Sequence, residues 1–185
     1  PGKCHYIRKP VFIQGALDTG DVTLAITNFM TMQLDDMSKP KWIVMDSGGG
    51  DVIQGFGLYD AIMAARSAGH IINVLCVGFN ASMATVVLQA ATRRYSWPHT
   101  QFIVHQISTT ISEGQQVEAN QQLEDALVSK RLTKISLDII SRRTGMPLLK
   151  LLRKSKKTDW WLTPEEALKF GSNGLIDEIV TGFPF

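Results

Sequence analysis

The chain has 185 residues, enough for one domain with a sizeable core, and its 2 cysteines are too few for a disulfide framework. Its 19 basic and 17 acidic side chains leave a formal net charge of +2, and neither sign forms a block long enough for a nucleic-acid or membrane surface. No apolar run approaches the roughly 18 residues of a membrane span, and the N-terminus lacks the layout of a signal peptide. The expectation is a cytoplasmic protein with no membrane or nucleic-acid partner.

Val11-Phe12-Ile13 reads as the first strand, followed by Trp42-Ile43-Val44-Met45, Ile71 to Val77 and Phe102-Ile103-Val104. Between the first three lie helix-length segments, Asp21 to Leu34 and Gly55 to Ala68. Their apolar residues recur at three-to-four spacing: Leu24, Ile26, Phe29 and Met30 in one, Leu58, Ile62 and Met63 in the other. This alternation predicts parallel βαβ units, and the near-continuous apolar strands predict a sheet covered on both faces. Cys76, inside the third strand, acts as a small buried hydrophobe. Ser112 to Arg143 predicts one long, polar-rich helix with Val117, Leu123 and Leu127 on a stripe, ended by Thr144-Gly145-Met146-Pro147. Such a helix projects from the globule or packs against a neighbour, which favours an oligomer. The basic run Arg153 to Lys157 reads as a solvated loop. Thr163-Pro164-Glu165-Glu166 opens a short helix with threonine as N-cap, and Leu175 to Val180 reads as the last strand. Residues 1–185 form a single domain, with 111–144 as the projecting region.

Ser82 lies at a strand-to-helix junction among small residues, Gly78-Phe79-Asn80-Ala81-Ser82-Met83-Ala84, as a nucleophile on an exposed elbow would. An ordinary N-cap serine fits the same pattern. A base would come from the 4 histidines, His5, His70, His99 and His105. His105 ends a strand, where parallel α/β folds gather functional groups. The carboxylate that orients such a histidine is Asp159, beside Trp160-Trp161, or one of Asp177, Asp46 and Asp51; spacing leaves these open. Ser47-Gly48-Gly49-Gly50 lacks the lysine of a phosphate loop and the spacing of a dinucleotide site. It is a plain turn or one wall of an oxyanion hole.

Taken in order, these segments resemble the ClpP family, the proteolytic subunit of the ATP-dependent Clp protease, from about Arg8 to Val180. Met45-Asp46-Ser47-Gly48-Gly49-Gly50 is similar to the family's Ile-Asn-Ser-Pro-Gly-Gly. Gly78 to Ala84 is similar to its nucleophile segment, Val104-His105-Gln106 to its histidine segment, and Thr158 to Ala167 to its aspartate and following helix. The resemblance implies an α/β, ClpP/crotonase-like fold of repeated βαβ units with a projecting long handle helix. It implies Ser82, His105 and Asp159 as a catalytic triad, and the N–H groups of Gly49 and Met83 as an oxyanion hole, with no metal or cofactor. It also implies heptameric rings of identical subunits, stacked as a tetradecamer, that hydrolyse polypeptides delivered by an AAA+ unfoldase of the ClpX or ClpA type.

Gly48, Asn80 and Ala84 replace the family's proline, alanine and glycine with residues small enough for the turns. Ile107-Ser108-Thr109-Thr110 replaces Pro-Leu-Gly-Gly, and Lys157 and Thr158 stand where charge pairing between rings is usual, so weak, salt-dependent ring stacking is expected. Two other readings keep the fold: a non-catalytic ring subunit, and a crotonase-type acyl-CoA enzyme. The first conflicts with three filled triad positions. The second conflicts with a serine and a histidine where such enzymes use carboxylates.

Overall fold

The computed structural model describes residues 10–31, 37–107, 119–156 and 158–184. The elements in chain order are β1 (Val11–Leu17), α1 (Thr19–Thr31), β2 (Lys41–Gly50), α2 (Val52–Ser67), β3 (Ile72–Ala81), α3 (Met83–Leu88), β4 (Arg93–Ser96) and β5 (Gln101–Val104). They continue with α4 (Ala119–Thr144), α5 (Leu148–Ser155), β6 (Trp160–Leu162), α6 (Pro164–Leu168) and β7 (Glu178–Ile179). A 7-stranded sheet runs β1-β2-β3-β4-β7, with β5 on β3 and β6 on β5. Every pairing is parallel except that of β5 with β6. This is the mixed α/β fold with repeated βαβ units that the alternation predicted. Among the described residues, no helix is long and apolar enough to cross a membrane.

Alternate residues of the central strands face opposite ways, as the two-residue period of a strand requires. Ile43, Met45, Val74 and Cys76 join the large core with Leu58 and Ile62 of α2 and Leu137 and Ile140 of α4. Burial pushes the Cys76 thiol far above its ordinary range. Val44, Leu75 and Val77 form a separate small cluster on the other face, closed by Trp42, Tyr95 and Trp97. The second face carries aromatic side chains from and next to the strands, with Trp42 and Tyr95 at 5.2 Å between ring centroids.

Several boundaries differ from the sequence reading. β3 runs on to Ala81, so the serine segment follows a strand longer than Ile71 to Val77. The basic run is no loop at its start: Arg153, Lys154 and Ser155 end α5, where Leu151 and Ser155 are buried and Lys154 Nζ lies 4.6 Å from the Trp160 ring. The last strand shrinks to Glu178–Ile179. Thr163 caps α6 as read, in a full capping box with Glu166. The long helix begins, within the described residues, at Ala119; Ser112 to Glu118 lie outside them, as do Cys4, His5, Ser108, Thr109, Thr110 and Lys157. Residues 120–128 are exposed, and burial begins at Ser136. The helix therefore stands off the globule along its first half.

Arg94 on β4 is a large charged residue that is almost wholly buried. Its guanidinium forks onto both oxygens of Asp177 and also donates to Gln89 Oε1 and the carbonyls of Asn173 and Gly174. Burial alone would raise the Asp177 carboxyl, but hydrogen bonds and charge from Arg94 outweigh it and hold the group below the usual carboxylate range. A depressed acid contributes stability above its unfolded value, about pH 4, and loses that contribution as pH falls below it. Asp177→Asn leaves Arg94 buried without its counter-charge and is expected to cost about 3 kcal/mol. It should also flatten the acid limb of the stability profile, both read from denaturant midpoints between pH 3 and 7.

Candidate active site

The site is built where β3 changes partners. From Asn73 to Cys76 the strand pairs with β4, and from Phe79 to Ala81 it pairs with β5. Gly78 stands between, with φ +59, and a Cβ there would lie 2.8 Å from Asp46 Oδ1. That same oxygen accepts the Phe79 N–H at 2.9 Å, which steadies β3 through the change. Ser82 follows the strand directly with φ 55 and ψ −125. Among the described residues it is the only non-glycine with positive φ. Such a conformation costs about 1–3 kcal/mol and persists only where its surroundings impose it.

Those surroundings can be named. The Ser82 N–H donates to Ile103 O at 3.0 Å, and the buried Thr85 hydroxyl donates to the same carbonyl at 3.0 Å. Met83 folds its side chain onto α2, where a Cβ on Gly55 would lie 2.2 Å from Met83 Cγ. A Cβ on Gly49, itself at φ +91, would lie 2.7 Å from Ser82 Cβ and 2.9 Å from Met83 N. Glycine is required there by both the angle and the space. Ser47 fixes this glycine turn: its hydroxyl donates to Gly15 O at 2.6 Å and accepts the Gly49 N–H at 3.2 Å.

His105 lies just beyond β5, two residues after the carbonyl that holds Ser82, and lines the same cavity as Ser82. Ile107 N–H donates to Thr133 Oγ1 at 3.2 Å, so α4 grips the segment carrying the histidine. Across β5 lies β6, with Phe102 opposite Leu162, Ile103 opposite Trp161 and Val104 opposite Trp160. Continuing that antiparallel register sets His105 opposite Asp159, and His105 Nδ1 is 3.6 Å from Asp159 Oδ1. This is ion-pair distance, longer than a hydrogen bond. The Asp159 side chain is 59% exposed, although Trp160 and Trp161 follow it directly in the sequence. The neighbouring Trp160 ring turns away to pack on Phe170, leaving the carboxylate at the surface.

The rival acids have other tasks. Asp46 serves β3, Asp51 accepts the Gln54 N–H as N-cap of α2, and Asp177 holds Arg94. Of the other histidines, His70 is buried and His99 exposed, and neither lines the cavity of Ser82. The sequence reading passed over Thr133 and Ser136, the second of which also lines that cavity. The available signal was two hydroxyl residues on the stripe that α4 shares with Leu137 and Ile140.

An elbow serine on a mostly parallel sheet, with a histidine in its cavity, is an arrangement of α/β hydrolytic proteins. Residues 5–182 match the Clp protease family. The chain is also 29% identical over 176 residues to the ATP-dependent Clp protease proteolytic subunit 1 of Protochlamydia amoebophila (strain UWE25), an alignment covering 94% of this chain and 81% of that protein. The chain belongs to the Clp protease family, and its class is that of a ClpP-type peptidase.

Gly49→Ala tests the packing of the Ser82 turn. The added methyl must displace Ser82 and Met83, and a shift of that size is expected to lower peptide hydrolysis by about 100-fold or more while the far-ultraviolet circular dichroism stays unchanged.

Proposed function

We propose that this chain is a serine endopeptidase subunit of a self-compartmentalising ring protease, with Ser82 as nucleophile, His105 as general base and Asp159 as the group that orients it. The observation that carries the reading is the strained elbow at Ser82 in one cavity with His105, whose far side faces a carboxylate. Asp159 favours the proton on Nδ1 and leaves Nε2 to accept from the Ser82 hydroxyl as it attacks the scissile carbonyl. The same histidine then delivers that proton to the leaving amine, and water repeats the sequence on the acyl-enzyme. The N–H groups of Gly49 and Met83 hold the oxyanion. The contact of Gly49 N–H with Ser47 Oγ is long and neutral, and a charged oxygen competes well against it.

Assembly belongs to the same reading. Leu123 and Leu127 stand exposed on the free half of α4, more apolar surface than a solvated helix needs. A heptameric ring, stacked on a second through these helices, would cover them. The Asp159–His105 pair is worth at most about 1 kcal/mol while exposed, and excluding water from it strengthens it. Peptidase activity is therefore coupled to assembly, through both the cover over Asp159 and the grip of α4 on Ile107. Unfolded polypeptides are the substrate, supplied by an AAA+ unfoldase in the cytoplasm.

Ser82→Ala is expected to abolish both peptide hydrolysis and labelling by a fluorophosphonate, because the hydroxyl is the attacking group. Wild-type turnover in that variant would overturn the assignment. Asp159→Asn should slow hydrolysis by up to about 10⁴ without removing the nucleophile. For assembly, sedimentation and hydrolysis followed across salt concentration should fall together, and Leu127→Glu should lower both. Full activity in a Leu127→Glu protein that sediments as a monomer would break the proposed coupling.

A further inference from the structure

The cavity shared by Ser82 and His105 measures about 20 Å³, room for roughly one water-sized group. Its other walls are hydrocarbon, from Val52, Val104, Ile107, Leu137 and Ile140, with one exception. Ser136 of α4 also lines it. This residue is only 6% exposed, and its hydroxyl has no hydrogen-bond partner among the described residues. A serine inside a helix can return its proton to the carbonyl four residues back. Ser136 does not, so both its donor and its acceptor are free on the wall of the cavity.

Chemistry says what meets that wall. If Ser82 attacks a peptide carbonyl, the side chain of the residue that owns the carbonyl starts two bonds from the reacting carbon and must lie beside the nucleophile. Among the described residues the adjoining cavity is small and apolar, with Ser136 as its one polar point beyond Ser82 and His105. We infer that Ser136 makes this site selective for a small side chain carrying a hydroxyl, threonine in the first place, at the residue whose carbonyl is attacked. The hydroxyl of threonine, one water-sized group, enters the cavity and meets Ser136, while its methyl stays at the cavity mouth beside Ser82. Valine has the same shape and leaves Ser136 unpartnered, the kind of mismatch by which a hydrogen-bonding site rejects an isostere. A water in the cavity does not alter this, because threonine replaces its bond to Ser136 when it is displaced and valine does not.

This inference rests on Ser82 being the nucleophile, and its test separates the two. Peptidyl phosphonates identical except for a threonine or valine side chain next to phosphorus are compared by their rates of labelling Ser82 in the full chain. A fluorophosphonate with no side chain serves as control. The threonine compound is expected to react about tenfold faster, the value of one neutral hydrogen bond, and Ser136→Ala should bring the two rates level. A side chain acting only through the fold would change both rates alike and leave their ratio alone. Equal rates in the unaltered protein, a ratio that survives Ser136→Ala, or no reaction with either peptidyl compound overturns the inference while control labelling upholds the nucleophile. No labelling by the control removes the nucleophile and this inference with it.

Discussion

At Gly78, β3 leaves β4 and takes up β5, and the position of each candidate site group follows from that exchange of hydrogen-bond partners. The parting opens the sheet just before Ser82, so the serine leaves the strand beside a gap. Its amide is tied to Ile103 on one side of that gap, and His105 emerges two residues further along. The antiparallel partner of β5 then brings Asp159 level with the histidine. Three residues far apart in sequence are aligned by backbone hydrogen bonds, which are stiffer than any side-chain contact among them.

The short helix that starts after Ser82 is held at both ends. At its start, Gly49 and Gly55 admit the Ser82 turn and the Met83 side chain at distances no other residue permits. Beyond its end, Arg66 donates to Ala90 O, and Arg143 donates to the carbonyls of Ala91 and Thr92. Arg94 bonds the Gln89 side chain. Cations at the carbonyl end of a helix suit its dipole, and here they arrive from α2, β4 and α4. The elements that build the core thus also fix the helix that follows Ser82.

The alternation of strands and helices was legible because β1 to β3 and their helices carry uninterrupted periodic patterns. β4 was not, since Arg93-Arg94 reads as solvent-facing until the ion pair with Asp177 explains how an arginine is buried. α5 was hidden in the same way. Its apolar residues recur at Leu148, Leu151 and Leu152, but the basic residues at its end drew the reading to a loop. Ser82 and His105 were visible as a junction serine and a strand-end histidine. Asp159 could not be chosen over Asp177 by spacing, because the choice depends on β6, only 3 residues long. Ser136 and Thr133 escaped because their significance lies in what faces them across the fold.

The backbone angle at Ser82 also bears on the history of this chain. Glycine would occupy that angle without penalty, whereas serine holds it at a cost of about 1–3 kcal/mol, from a total stability of about 5–15 kcal/mol in an ordinary domain. Random substitution in a subunit that no longer used the position would tend to relieve it. On the proposed reading of Ser82, a serine still standing there is the mark of selection for its hydroxyl, expressed in one torsion of a single molecule.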